Sequence, residues 1–168
     1  MSLVVSALTV ILGDQVLKYV VFNCLESSMV VSSFLRLAHV TNPGVAFGIG
    51  KNIESGVLGK YLFVLLSLAI VIVLLVLFGR YSKNRVWARV SLGLITGGAT
   101  SNLIDRVLFG HVRDFIDFTF WPTFNPADLA ICAGVVVLMA GLFRGEKSKK
   151  AVVVAARAQE NPPSESNR

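Results

Sequence analysis

The sequence predicts an all-α integral membrane protein: four transmembrane helices with a small extramembrane β platform between helices 1 and 2. Three observations lead there. Only 15% of the 168 residues are charged and 54% are hydrophobic, whereas a soluble domain carries about a quarter charged residues. Mean hydropathy is +0.70. The run Tyr61–Phe78 holds eighteen residues without one charge. At about 1.5 Å per residue it covers most of a ~30 Å hydrocarbon core. The same composition excludes disorder over most of the chain.

The elements follow in order. A first span, about 3–22, carries Asp14 and Lys18 as its charges. A signal peptide is the rival reading. It is disfavoured because no basic segment precedes the apolar run and charges interrupt it. In the connection that follows, Phe34–Thr41 reads as a strand and Asn42-Pro43-Gly44 as a turn. The 34–50 region is the expected platform. A second span covers about 57–78. The third, about 86–104, contains Gly93, Gly97, Gly98, Ala99 and Ser101, small residues that let membrane helices approach closely. The fourth, about 127–143, is entered through Asn125-Pro126. Residues 1–143 form one membrane domain. Residues 144–168 read as a basic to polar cytoplasmic tail, expected to be disordered and ending in AQENPPSESNR.

Charge sets the orientation. Arg80, Lys83, Arg85 and Arg89 lie between the second and third spans with no acid among them. Arg144, Lys147, Lys149 and Lys150 follow the fourth against Glu146. The positive-inside rule puts both groups, and both termini, in the cytoplasm. The net charge of +6 is then a matter of topology. Membrane lipid is the expected partner, and nucleic acid is not.

All five aspartates lie in or beside the spans, and all five glutamates lie in loops or the tail. A charge in a bilayer costs several kcal/mol, so each aspartate is a functional candidate. Asp14 and Lys18 are four apart on one helix face, which suits a structural ion pair or a substrate contact. Asn102, Asp105 and Arg106 share one polar edge at the outer end of the third span, as a helix terminus or as a scaffold. Asp114 and Asp128 flank Trp121-Pro122 and Asn125-Pro126, which favour a chain that bends back. Two carboxylates sharing a site raise one pKa, the logic of aspartic proteases. Cation sensing, or helix capping by Asp128, would use the same residues. Asp117 rivals Asp114, but its aromatic neighbours favour a surface role.

Other chemistry has little support. His39 and His111 belong to no HExxH-like pair, and there is no GxSxG. Cys24 and Cys132 have neither disulfide-framework nor metal-site spacing. No metal and no cofactor are expected. A proton-coupled transporter could use Asp14, Lys18 and Asp128 as a relay. It would lack an evident internal repeat, and its acids would crowd one interface. A membrane scaffold with buried ion pairs is the third reading.

Five motifs then stand in order: DQVLK at 14–18, TNPGVAFG at 41–48, GGATSNLIDR at 97–106, HVRDFIDF at 111–118 and FNPADLAICAG at 124–134. Together they resemble the lipoprotein signal peptidases, also called signal peptidase II, over most of the chain before the tail. The resemblance implies an aspartic endopeptidase of the bacterial inner membrane, with its active site near the outer (periplasmic) face. Its substrates would be prolipoproteins carrying diacylglycerol on a cysteine, cut just before that cysteine. Peptide-like inhibitors of the globomycin type would be expected. The resemblance implies Asp114 and Asp128 as the catalytic dyad. It implies Asn42, Gly44, Asn102, Arg106 and Asn125 as substrate-binding or supporting residues, and Asp14 and Lys18 as a structural polar pair. Two departures stand out. Arg113 precedes Asp114 where a small apolar residue is usual, and Ser101 precedes Asn102 where glycine is common. Pro43 and Pro126 stiffen the loops around Asn42 and Asp128.

Overall fold

In a computed structural model the structure describes residues 2–26, 28–43, 65, 68–69, 71–73, 75–76 and 85–160, with backbone alone over 145–160. Six elements can be named. They are α1 (Ser2–Cys24), β1 (Met29–Ser32), β2 (Leu35–Asn42), α2 (Val86–Phe109), β3 (Val112–Phe118) and α3 (Pro126–Glu160).

The first helix is polar inside and apolar outside. The buried residues of α1 are Asp14, Lys18 and Val21, while Val5, Leu8, Leu12, Val16 and Tyr19 are exposed. On α3, Leu129, Val136 and Phe143 are exposed. Water would penalise such a surface, but lipid does not, because hydrocarbon tails are as apolar as leucine. Ser2–Cys24 and Pro126–Arg144 are long and apolar enough to cross a membrane, and only 17% of each apolar window is buried. The second expected span, 57–78, lies outside the described residues except at 65, 68–69, 71–73 and 75–76, which are helical.

The α2 helix lies between α1 and α3 and packs on both. Its small residues make that possible. A Cβ at Gly97 would lie 2.7 Å from the Ala7 carbonyl oxygen of α1. One at Gly98 would collide with the Ala127 carbonyl oxygen of α3. Adjacent glycines thus admit one backbone on each side.

Two helix boundaries differ from expectation. The third helix runs to Phe109 rather than 104. It stops where Gly110 turns left-handed (φ 83°) and its N–H bonds the Arg106 carbonyl at 3.0 Å, a common helix stop. Asn102–Arg106 therefore sit within the helix and not at its end. The fourth helix continues past 143 to Glu160, so the first part of the expected tail is helical. Residues 161–168 lie outside the described set.

The platform is an antiparallel sheet in the order β1-β2-β3. The strand expected at Phe34–Thr41 is Leu35–Asn42, with Phe34 in the preceding turn. The third strand comes from the connection between α2 and α3. It pairs Leu35 with Phe118, Val40 with Asp114 and Asn42 with Val112. Val112–Phe118 is rich in β-branched and aromatic residues, which suit a half-buried pleat.

Gly98→Ala should test the helix contacts. The added Cβ meets backbone, which cannot rotate away, and overpacking costs about 1–3 kcal/mol. The variant in detergent should melt several degrees below the parent. An unchanged melting temperature would contradict this α2–α3 contact.

Candidate active site

At the sheet end of the helices lies a buried polar cluster. Its centre is Lys18, with a relative exposure of 0%. The ammonium bonds Asp14 Oδ2 at 2.7 Å, Asp105 Oδ2 at 3.1 Å and Asn102 Oδ1 at 3.0 Å. Its three donors are thereby used. Asp14 joins three helices. Its Oδ2 also accepts Ser101 Oγ–H at 2.7 Å from α2, and its Oδ1 accepts the Ala127 N–H at 3.0 Å from α3. Buried charges persist only when every lone pair and proton is matched in this way.

The start of α3 is built by FNPAD. Asn125 caps the helix: its Oδ1 accepts the Asp128 N–H at 3.0 Å, and Asp128 Oδ2 accepts the Asn125 N–H at 3.2 Å. This is a reciprocal capping box, with Pro126 in the first helical position, where no N–H is needed. The cap fixes Asp128 and leaves its Oδ1 for the Asn102 amide, which donates at 2.8 Å. Helix capping, one of the alternatives for Asp128, is thus present in the geometry and occupies only one of its oxygens.

Asp114 arrives on β3. The outer edge of that strand pairs with Phe124, whose N–H bonds the Ile116 carbonyl at 3.0 Å and whose carbonyl accepts the Ile116 N–H at 2.9 Å. The chain bends back here and sets Asn125 beside Asp114. Asn125 Nδ2 donates to Asp114 Oδ1 at 2.6 Å and to Asn102 Oδ1 at 3.1 Å. Asn42 Nδ2 donates to Asp114 Oδ2 at 2.9 Å from β2. One asparagine, Asn125, therefore bonds both carboxylates. Asp114 is buried and Asp128 is partly exposed. Burial pushes the Asp114 carboxyl up to about 6; the Asn42 amide opposes this, and the Asp128 charge adds to it.

Arg106 is partly buried and lies within electrostatic reach of Asp128, Asp114 and Asp105. Four carboxyls (Asp14, Asp105, Asp114, Asp128) then face three cations (Lys18, Arg106, Arg113). The cluster is neutral when one carboxyl holds a proton, the state favoured in a low dielectric.

The structure thus brings together Asp14, Lys18, Asn42, Asn102, Arg106, Asp114, Asn125 and Asp128. Gly44 lies outside the described residues. Asp117 stands apart. It pairs across the strands with Arg36, whose Nε donates to it at 3.0 Å. His39 bonds the Val21 carbonyl at 2.8 Å and stacks on Phe22, which ties β2 to α1. Among the described residues no group of three His, Cys, Asp or Glu side chains could hold a metal. Sequence reasoning missed Gln15. Its Nε2 donates to Ser101 Oγ and Asp105 Oδ1, both at 3.0 Å. A polar amide beside Asp14 in an apolar span was the available signal.

Comparison with known proteins adds the following. The signal peptidase (SPase) II family profile matches residues 6–144. A lipoprotein signal peptidase of Moorella thermoacetica is 40% identical over 141 residues, covering 82% of this chain and 90% of that protein. One from Pseudomonas putida is 33% identical over 154 residues, covering 87% and 89%. A bacterial membrane enzyme solved at 2.3 Å superposes with a TM-score of 0.74 and 31% identity, over 88% of this chain and 90% of that one.

Lys18→Met should be severe. It leaves Asp14 and Asp105 buried without their ammonium, a loss of about 3–5 kcal/mol. Denaturant unfolding in detergent measures it. A loss under about 1 kcal/mol would mean that water reaches the pair.

Proposed function

The chain belongs to the signal peptidase II family, and on that premise we propose that Asp114 and Asp128 are its catalytic pair. Membership makes it a membrane protease, a hydrolase that removes signal peptides from prolipoproteins. The observation that carries the dyad is the double engagement of Asn125, bonded to Asp114 through its side chain and to Asp128 through its cap.

The chemistry needs one proton on the pair. The ionised carboxylate takes a proton from a water as that water attacks the scissile carbonyl carbon. The protonated carboxyl gives its proton to the carbonyl oxygen. A neutral tetrahedral diol forms. The C–N bond then breaks as one carboxyl gives its proton to the leaving nitrogen and the ionised carboxylate takes a proton from a diol hydroxyl; a new carboxyl and a free amine separate, and the pair again holds one proton. Base and acid are roles of the pair, because strongly coupled groups titrate together. Arg106 adds a fixed positive charge beside the carboxylate pair. Asn42, Asn102 and Asn125 hold the carboxylates, and Gly44 belongs with them as a supporting position. Asp14 and Lys18 are the structural pair beneath.

The proposed substrate carries diacylglycerol on its cysteine and is cut just before that residue. Its lipid chains would stay in the bilayer, so the bond to be cut lies near the outer face of the inner membrane. Depth supports this. Asp105 lies sixteen residues, about 24 Å at helical rise, from Arg89. The basic end of α2 then faces the cytoplasm, with both termini, and the carboxylates face outward. A peptide-like inhibitor of the globomycin type would occupy the same site, beside membrane lipid. No cofactor enters this mechanism.

Cleavage of a diacylglyceryl precursor in detergent tests the proposal. Asp114→Asn and Asp128→Asn should each lower kcat by at least about 1,000-fold while the protein stays folded. Asp117→Asn should cleave at near the parental rate. Full activity in either dyad variant would remove the assignment. Equal cleavage of a precursor without diacylglycerol would remove the substrate class.

The pH profile has a defined sign. Asp114 keeps its proton up to about 6, and the dianion above that point lacks the acid. A plot of kcat/KM should therefore fall as pH rises through an alkaline limb that begins near 6. A rate that climbs steadily from pH 5 to 8 would contradict it.

A further inference from the structure

Arg113 is buried, with 8% exposure, yet its side chain makes no hydrogen bond to Asp114 or Asp128. It grips Asp105 twice. Its N–H donates to Asp105 Oδ2 at 2.9 Å, and its guanidinium donates to Asp105 Oδ1 at 2.8 Å. The guanidinium also donates to Gln15 Oε1 at 2.8 Å and lies over the Phe109 ring at 4.4 Å. The second departure from the family pattern, Ser101, meets the same Gln15, accepting from its amide at 3.0 Å. The two unusual residues are therefore one arrangement: Ser101 and Arg113 joined through Gln15, with Asp105 between.

This arrangement sits one peptide from Asp114. Neighbouring strand residues project to opposite faces. The strand is thus held from the Arg113 side while Asp114 points to the other. Asp105 passes the constraint on. It shares Lys18, Lys18 bonds Asn102, and the Asn102 amide donates to Asp128.

We propose that Arg113 is a positioning residue for the reaction: by pinning β3 to α2 through Asp105, it holds Asp114 at the separation from Asp128 that a shared water needs. The inference rests on the dyad reading. It gives Arg113 no substrate contact, so its loss should fall on kcat and spare KM. Both side-chain bonds leave one guanidinium nitrogen, Nη2, so a lysine ammonium can serve them in part but lacks the planar group that lies over Phe109.

The test is the kinetics of Arg113→Gln and Arg113→Lys on the diacylglyceryl precursor, with melting temperatures in detergent and with wild type and Asp114→Asn alongside. Small displacements of catalytic groups cost up to about a hundredfold in rate, so Arg113→Gln should lower kcat at least about tenfold, with KM within about twofold. Arg113→Lys should lose only about two- to fivefold in kcat. Wild-type kcat in both variants, or a loss carried by KM, overturns the proposal. If Arg113→Gln does not fold, Arg113→Lys decides: its loss in kcat at constant KM supports the proposal, and wild-type kcat or a raised KM overturns it. Wild-type cleavage with an inactive Asp114→Asn keeps the dyad reading standing whichever way Arg113 falls. An active Asp114→Asn would fail that reading first.

Discussion

The Lys18 ammonium is the node on which the rest of the site depends. It lies without solvent exposure among Asp14, Asp105 and Asn102. Desolvating those charges is expensive, and each added hydrogen bond offsets part of that cost. The geometry follows from this need. Asp14 satisfies its remaining lone pairs on Ser101 and on the Ala127 N–H, which locks α1 to α2 and to the first turn of α3. Asp105 satisfies its own on Arg113 and Gln15, which locks β3 to the helices. The arrangement that makes the charges tolerable is also the arrangement that places the two upper carboxylates.

Inverted polarity is the reason such a node can exist. In water, apolar side chains would fill the interior and the ion pairs would gain little at the surface. Here lipid takes the apolar faces, and small residues let the helices close on polar groups. Gly97 and Gly98 bring α1 and α3 near enough for Asp14 to bond both neighbours. The asparagines then connect the charged layer to the carboxylates above it. Asn102 accepts from Lys18 and donates to Asp128, and Asn125 donates to Asn102 and Asp114.

Some of this was legible residue by residue. The i,i+4 spacing of Asp14 and Lys18 placed them on one face. Asn125-Pro126 marked a helix start, and the small-residue run 93–101 marked a close helix contact. Other parts were not legible. The strand Val112–Phe118 is not expected from its own residues, because its partner β2 lies some seventy residues earlier and pairing is non-local. The sequence ends the third helix at 104, since Asp105 and Arg106 look like a polar terminus where the structure buries Asp105 within the helix. Asp117 is set aside by its aromatic neighbours alone, but its partner Arg36 across the strand is not visible in spacing.

By itself the sequence determined what local pattern and composition control: a membrane class from hydropathy, helix caps from short motifs, and a family resemblance from five motifs in order. Only the tertiary structure decided which polar groups meet. It joined Arg113 and Ser101 through Gln15, put Asn42 on Asp114, and made Asn125 the bridge between two carboxylates. The reason is physical. A buried charge is stable only beside specific partners, and those partners come from segments that one-dimensional spacing does not bring together.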